Sequence, residues 1–194
     1  MVFLPCASLC GEVISMRLKS VVIFFAGMCL FAANQVLAAS PEDRCALPPS
    51  LRDEISKTYP RARPVSLADL DDYARKQYRK DFGTRCPGLV RVNFYGDGKP
   101  TWALLLVAKE GPKQKPELVV AHQLGNAWDI RSLDTADGAV AVWREGPGKY
   151  EGMYEGEPIP IRAKNPVILI GDYGSFTILY AWTGKEVEKI WLSD

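Results

Sequence analysis

The sequence predicts an α+β fold, with two N-terminal helices packed on one curved, mainly antiparallel sheet of about seven to nine strands. Three observations carry that expectation. Two stretches between residues 50 and 82 repeat apolar side chains at helical spacing. From Leu89 onward the pattern changes to short apolar runs rich in Val, Ile, Tyr and Trp. The connections between those runs are short and carry Gly, Asp or Asn, which suits antiparallel neighbours because parallel strands need a crossover of a dozen or more residues.

The first helix is expected after Pro48-Pro49-Ser50, where Asp53 stands three residues past Ser50 in a capping-box arrangement. Leu51, Ile55 and Tyr59 then recur on one face, and Pro60 stops the helix. Ser66 and Asp69 repeat the device. Leu67, Leu70, Tyr73, Ala74 and Tyr78 form the second stripe, which ends before Gly83. Strands are expected over 89–95 and 101–108, joined by Gly96-Asp97-Gly98-Lys99, a strong hairpin signal. Six more follow, over 117–123, 127–133, 139–144, 167–170, 175–182 and 186–192. The five tryptophans, Trp102, Trp128, Trp143, Trp182 and Trp191, all fall in expected strands and read as core.

Ahead of this domain lies an export signal over 16–38. Arg17 and Lys19 form its positive start, Val21–Ala33 carries no charge, and Val36-Leu37-Ala38-Ala39 offers the small residues that a signal peptidase needs. The apolar core is shorter than the ~20 residues of a membrane span. Residues 1–15 hold no Lys or Arg and read as a non-native extension, with Met16 the natural start. A lipidated Cys29 is disfavoured by Met28 beside it and by the apolar run that continues beyond. Cleavage near Ala38 leaves a single domain over 39–194, of 156 residues, in a periplasmic or secreted location.

Export also decides the cysteine chemistry. Cys6, Cys10 and Cys29 precede the cleavage site, so Cys45 and Cys86 remain and pair most simply with each other. Such a bond closes a loop of about 40 residues and stabilises by roughly 3–4 kcal/mol through the unfolded chain. The mature chain balances 22 basic against 22 acidic residues with no run of like charge. That balance points away from nucleic acid as a partner, and the signal leaves no segment for stable membrane insertion.

The residues that bear on chemistry are few. Asn93, Asp97 and Thr101 could offer oxygens to calcium, but Tyr95 stands where an acceptor should be and one carboxylate is too few. The plain turn is favoured, and no cofactor is expected. His122, the only histidine, has no G-x-S-x-G elbow or free thiol to serve and reads as structural. Residues 145–160 hold Tyr150-Glu151-Gly152 and Tyr154-Glu155-Gly156, followed by Glu157. Tyrosine gives contact area at low entropic cost, so Tyr150, Glu151, Tyr154, Glu155 and Glu157 are the candidate binding residues. The competing reading is a connection or irregular hairpin whose tyrosines pack on the sheet.

The run Gly96-Asp97-Gly98-Lys99-Pro100-Thr101-Trp102-Ala103-Leu104-Leu105-Leu106 resembles a D-x-[DN]-G-D-G-K-x-D-x-A-[LV]-L-L segment of small exported bacterial proteins of uncharacterised function. FG-GAP and VCBS repeats carry a related segment. The chain end, from Tyr180-Ala181-Trp182 through Ile190-Trp191-Leu192, is similar to the closing hairpin of the same group. Asn93 and Thr101 replace two aspartates of the pattern, and Tyr95 replaces a third acceptor. The resemblance implies no activity. The residues together predict an exported, non-catalytic binding protein, of inhibitor or immunity type, that meets an envelope protein or glycan. The alternative is a cell-envelope glycan hydrolase working through a carboxylate pair.

Overall fold

A computed structural model of the chain describes residues 45–109, 115–154 and 156–192. The expected export signal, the three cysteines within and before it, and Glu155 lie outside the described residues. In chain order the elements are α1 (Pro49–Thr58), β1 (Ala62–Pro64), α2 (Asp72–Phe82), β2 (Leu89–Val92), β3 (Thr101–Ala108), β4 (Glu117–Leu124), β5 (Ala127–Thr135), β6 (Ala141–Glu145), β7 (Gly148–Tyr154), β8 (Glu157–Ala163), β9 (Val167–Asp172), β10 (Phe176–Trp182) and β11 (Val187–Leu192). Among the described residues no helix is long and apolar enough to cross a membrane.

The expectation of one sheet carrying both helices is overturned. The strands form two antiparallel sheets, one of five strands and one of six. The reason lies in β3 and β4. Their continuous apolar runs bury both faces, as buried strands do, and a sheet apolar on both faces must be covered twice. Ala103, Leu105, Leu118 and Val120 face the second sheet, meeting Val142, Ile168, Ile170, Ile178 and Tyr180. Leu104, Leu106, Val119 and Ala121 point the other way, onto Leu51 and Ile55 of α1. The helix α2 belongs to the inter-sheet core instead, through Ala74 and Tyr78. The two helices thus serve different layers.

Both helix starts also differ from expectation. Pro48 stands at the N-cap of α1 with no side-chain cap, and Ser50 lies inside the helix, where its hydroxyl accepts from Trp128 Nε1 at 3.3 Å. In the second case Asp69 caps nothing. It accepts from Ser66 N and Oγ at 2.7 and 2.8 Å and from both ends of the Arg63 guanidinium at 2.6 and 2.7 Å. Burial alone would raise the Asp69 carboxyl, but the Arg63 and Ser66 hydrogen bonds overcome it and hold the group at about 2. The N-cap of α2 is Asp71, whose carboxylate accepts from Ala74 N at 2.8 Å, and Tyr73 is 57% exposed.

The first sheet has the order β1-β3-β4-β5, with β2 also paired to β3. β1 and β2 therefore lie end to end along one edge of β3, reaching Pro64↔Leu106 and Leu89↔Leu104 respectively. Leu105 bridges the joint: its carbonyl accepts from Val65 N at 2.8 Å and its amide donates to Gly88 O at 3.0 Å. A Cβ on Gly88 would sit 2.3 Å from Val65 N, so only glycine lets the two segments meet there. Cys45 and Cys86 close a disulfide beside the same joint, with Cα atoms 5.0 Å apart across 41 residues.

The second sheet has the order β6-β9-β10-β11-β7-β8. The hairpin β7–β8 occupies the segment read as binding loop, connection or irregular hairpin. Its ladder begins at Gly148↔Ala163, directly after the β6–β9 ladder ends at Glu145↔Val167. The two pairs are successive halves of one long ribbon, bent at Gly146-Pro147. The second half comes round to pair with β11 through Gly152↔Leu192 and Met153↔Trp191. The sheet thus curls on itself around a core of its own, in which Val167, Leu169, Leu179 and Ile190 meet Tyr150, Ile161 and Ala163. Of the five tryptophans only Trp191 is strongly exposed, at 47%.

Two outcomes test this architecture. Gly88→Ala should destabilise by ~2–4 kcal/mol, since backbone must move to admit the methyl group, and denaturant unfolding measures it. Cys45→Ser with Cys86→Ser should cost ~4 kcal/mol and lower the thermal midpoint to that of the reduced wild type.

Candidate functional site

The turn between β2 and β3, residues 93–100, is built from its own polar side chains. Asn93 Oδ1 accepts from Gly98 N at 3.1 Å, and Asp97 Oδ1 accepts from Lys99 N at 3.0 Å. Gly96 and Gly98 adopt positive φ of 74° and 78°, which glycine reaches without strain. Of the oxygens expected as calcium ligands, Asn93 Oδ1 and Asp97 Oδ1 are thus engaged by the loop's own amides. Among the described residues no group of three or more His, Cys, Asp or Glu side chains is placed to hold a metal ion.

His122 anchors this turn from β4. Its residue pairs with Thr101 across the β3–β4 ladder, and Nδ1 lies 2.9 Å from the Thr101 hydroxyl. Nε2 lies 3.1 Å from Asp97 Oδ2. A proton on Nε2 donated to Asp97, with the Thr101 hydroxyl donating to Nδ1, satisfies all three groups. The Tyr95 ring packs 4.5 Å from the imidazole and 5.0 Å from Trp182. Burial pushes the Tyr95 phenol up, outweighing the nearby Arg131 cation, so it stays neutral. Hydroxyl, imidazole and carboxylate are the parts of a hydrolytic triad, but the Thr101 side chain is fully buried and cannot meet a substrate. The cluster holds a loop in place.

Beyond that loop runs a cleft of about 870 Å³, along the edge of β2 where β6 comes alongside. Val142 N donates to Pro87 O at 2.7 Å, and Arg144 Nη1 donates to Arg91 O at 3.1 Å. Among the described residues the charged groups lining the cleft are Arg85, Arg91, Lys99 and Arg144, with no carboxylate beside them. None of the three arginines forms an ion pair among the described residues. Lys99 alone has an anion near, Asp97 at 3.8 Å. Each cation comes from a different element: the segment after α2, β2, the pinned turn, and β6. The half-buried Trp102 and the amide of Asn93 line the same cleft.

The expected binding residues of the 145–160 segment are placed differently. Tyr150 packs into the core of the curled sheet, and its hydroxyl donates to Gly146 O. Burial and the Glu145 charge push its phenol up. Glu151 and Glu157 are exposed on the hairpin, and the backbones of Tyr154 and Glu157 pair across its tip. A hollow of about 340 Å³ lies between Glu151 and Pro160.

Sequence reasoning missed the basic cleft. Its four cations are spread over 60 residues, singly, and no local pattern marks them. No protein-family model, no curated protein and no solved structure matches the chain.

The Asp97 contacts set an acid limit on the turn. Burial opposes ionisation, but the Lys99 amide, His122 and the Lys99 cation together hold the Asp97 carboxyl below its ordinary 3.8. A depressed carboxylate stabilises fully above its unfolded value and stops doing so as pH falls below it. Amide exchange in residues 93–100 should therefore accelerate below pH ~4. Asp97→Ala should accelerate it at neutral pH, with a loss of ~1 kcal/mol in denaturant unfolding.

Proposed function

We propose that the chain is an exported, non-catalytic binding domain of the cell envelope, with an anionic ligand seated in the cleft along β2. The observation that carries this reading is the convergence of Arg85, Arg91, Lys99 and Arg144 on one hollow that, among the described residues, holds no carboxylate. In a chain of nearly balanced charge, grouping like charges costs self-repulsion that an anion would relieve. Guanidinium forks suit oxyanions, because each presents several donors in a fixed plane. The disulfide supports an oxidising compartment.

The cleft is better supported as a binding surface than the Tyr/Glu hairpin, since Tyr150 packs half-buried against the core of its own sheet. The hydrolase alternative rests on a different place. Burial and the neighbouring Asp71 carboxylate raise the Asp172 carboxyl, the direction a general acid requires.

The purified protein should be retained on a polyphosphate-bearing matrix in low salt and released by added salt. Arg91→Gln with Arg144→Gln should weaken retention at least tenfold, about 1.4 kcal/mol, with the thermal midpoint unchanged. Equal retention of wild type and variant would overturn the assignment of the cleft. Release of reducing ends from peptidoglycan, abolished by Asp172→Asn, would replace binding with hydrolysis.

A further inference from the structure

We infer that the cleft takes a phosphorylated saccharide, with the phosphate on the arginines and a sugar ring against Trp102. The inference rests on the anion-binding reading above and narrows its ligand.

The charge comes first. Three guanidiniums and one lysine, the guanidiniums without an ion pair among the described residues, exceed what a single carboxylate can neutralise, whereas a phosphomonoester carries nearly two negative charges and three acceptor oxygens. Arg144 uses one donor on the Arg91 carbonyl, which steadies its guanidinium and leaves the others for a ligand. Arg85 adjoins the disulfide at Cys86, and Lys99 stands on the turn that His122 pins. The backbone segments that carry the cations are thus fixed by covalent, sheet and side-chain anchors before any ligand arrives, and preorganisation of this kind limits the entropy lost on binding.

The rest of the wall is not that of a bare ion site. Trp102 is half-buried and stands opposite Arg91 in the β2–β3 ladder, so an apolar ring surface and a guanidinium sit side by side on one face. Asn93 has its carbonyl oxygen engaged by Gly98 N, which leaves its amide hydrogens to donate to a hydroxyl. A volume of about 870 Å³ falls in the ~300–1,000 Å³ range of small-molecule sites and is far larger than a phosphate needs. Phosphate, ring face and hydroxyls occur together in a sugar phosphate, either free or as the head of a lipid.

Isothermal titration with glucosamine 1-phosphate, inorganic phosphate and glucuronate tests the inference. Glucosamine 1-phosphate should bind at least tenfold tighter than either of the others. Arg91→Gln and Arg85→Gln should each weaken it tenfold or more. Trp102→Phe, which keeps an aromatic core side chain, should reduce the advantage over inorganic phosphate while leaving phosphate binding intact. Equal affinity for glucosamine 1-phosphate and phosphate would overturn the saccharide inference and leave the anion-binding cleft standing. No binding of any of the three, with polyphosphate retention also absent, would overturn both. Vesicles carrying a phosphorylated glucosamine disaccharide lipid, set against phosphatidylglycerol vesicles, identify the source. Selective binding to the former assigns a lipid head, and binding only of the soluble sugar assigns a free one. Equal binding to both vesicle types, without soluble binding, would overturn the inference.

Discussion

Burial of β3 on both faces is the constraint from which the architecture follows. Leu104 and Leu106 turn to one side, Ala103 and Leu105 to the other, and all four are 3% exposed or less. A strand in that position requires a cover on each face, and two very different covers are used. On one side α1 lays Leu51 and Ile55 across the sheet. On the other a second sheet supplies Val142, Ile168, Ile170 and Ile178. The β1–β2 edge, the Gly88 joint and the disulfide all complete the pairing of this same strand. Because hydrophobic stabilisation scales with apolar area removed from water, losing either cover would expose most of a large core at once.

The second sheet answers a related problem by bending. An open six-stranded sheet has two edges and two faces to protect, and only one face can rest on its partner. Running β6 into β7 and β8 into β9 as one ribbon, then folding that ribbon back onto β11, encloses the outer face. The two edge strands are β6, which lies beside β2, and β8, which carries Pro158 and Pro160 and there offers no amide hydrogens to an incoming chain. The curl also explains why Tyr150 packs half-buried against that core.

The cleft arises where the two sheets meet. Neither β2 nor β6 completes a ladder with the other, and the gap between them collects side chains from four parts of the chain. Its rim is the turn that resembles the exported-protein segment, held by Asp97, His122 and Thr101. In this chain the Gly-Asp-Gly-Lys turn thus acts as a rigid wall, with Lys99 on its surface and its acceptors turned inward to its own amides. Rigidity at such a wall favours discrimination between ligands more than adaptation to them.

Much of the local structure was legible. The strands at 101–108, 117–124 and 127–135 follow from apolar runs punctuated by turn residues, and Gly83 ends α2 as expected. The pairing of Cys45 with Cys86 followed from compartment and count. What failed, failed for identifiable reasons. Ser66 and Asp69 look like a helix start, but the Arg63 fork pulls Asp69 into a turn and leaves the cap to Asp71. Residues 148–163 are hard to read as strands because Gly152 must be empty of side chain where Ile161 and Ile190 crowd in, and because Pro158 and Pro160 interrupt the Ile159, Ile161, Ala163 alternation on an edge. The strands β3 to β5 and the pairing of the two cysteines depend on neighbours a few residues apart or on a count, so the sequence by itself determined them. The number of sheets, the place of each helix, the histidine-pinned turn and the cationic cleft depend on which faces meet across long loops. Only the tertiary structure decided those, because charge convergence and two-sided burial are properties of contact in space and leave no periodic trace along the chain.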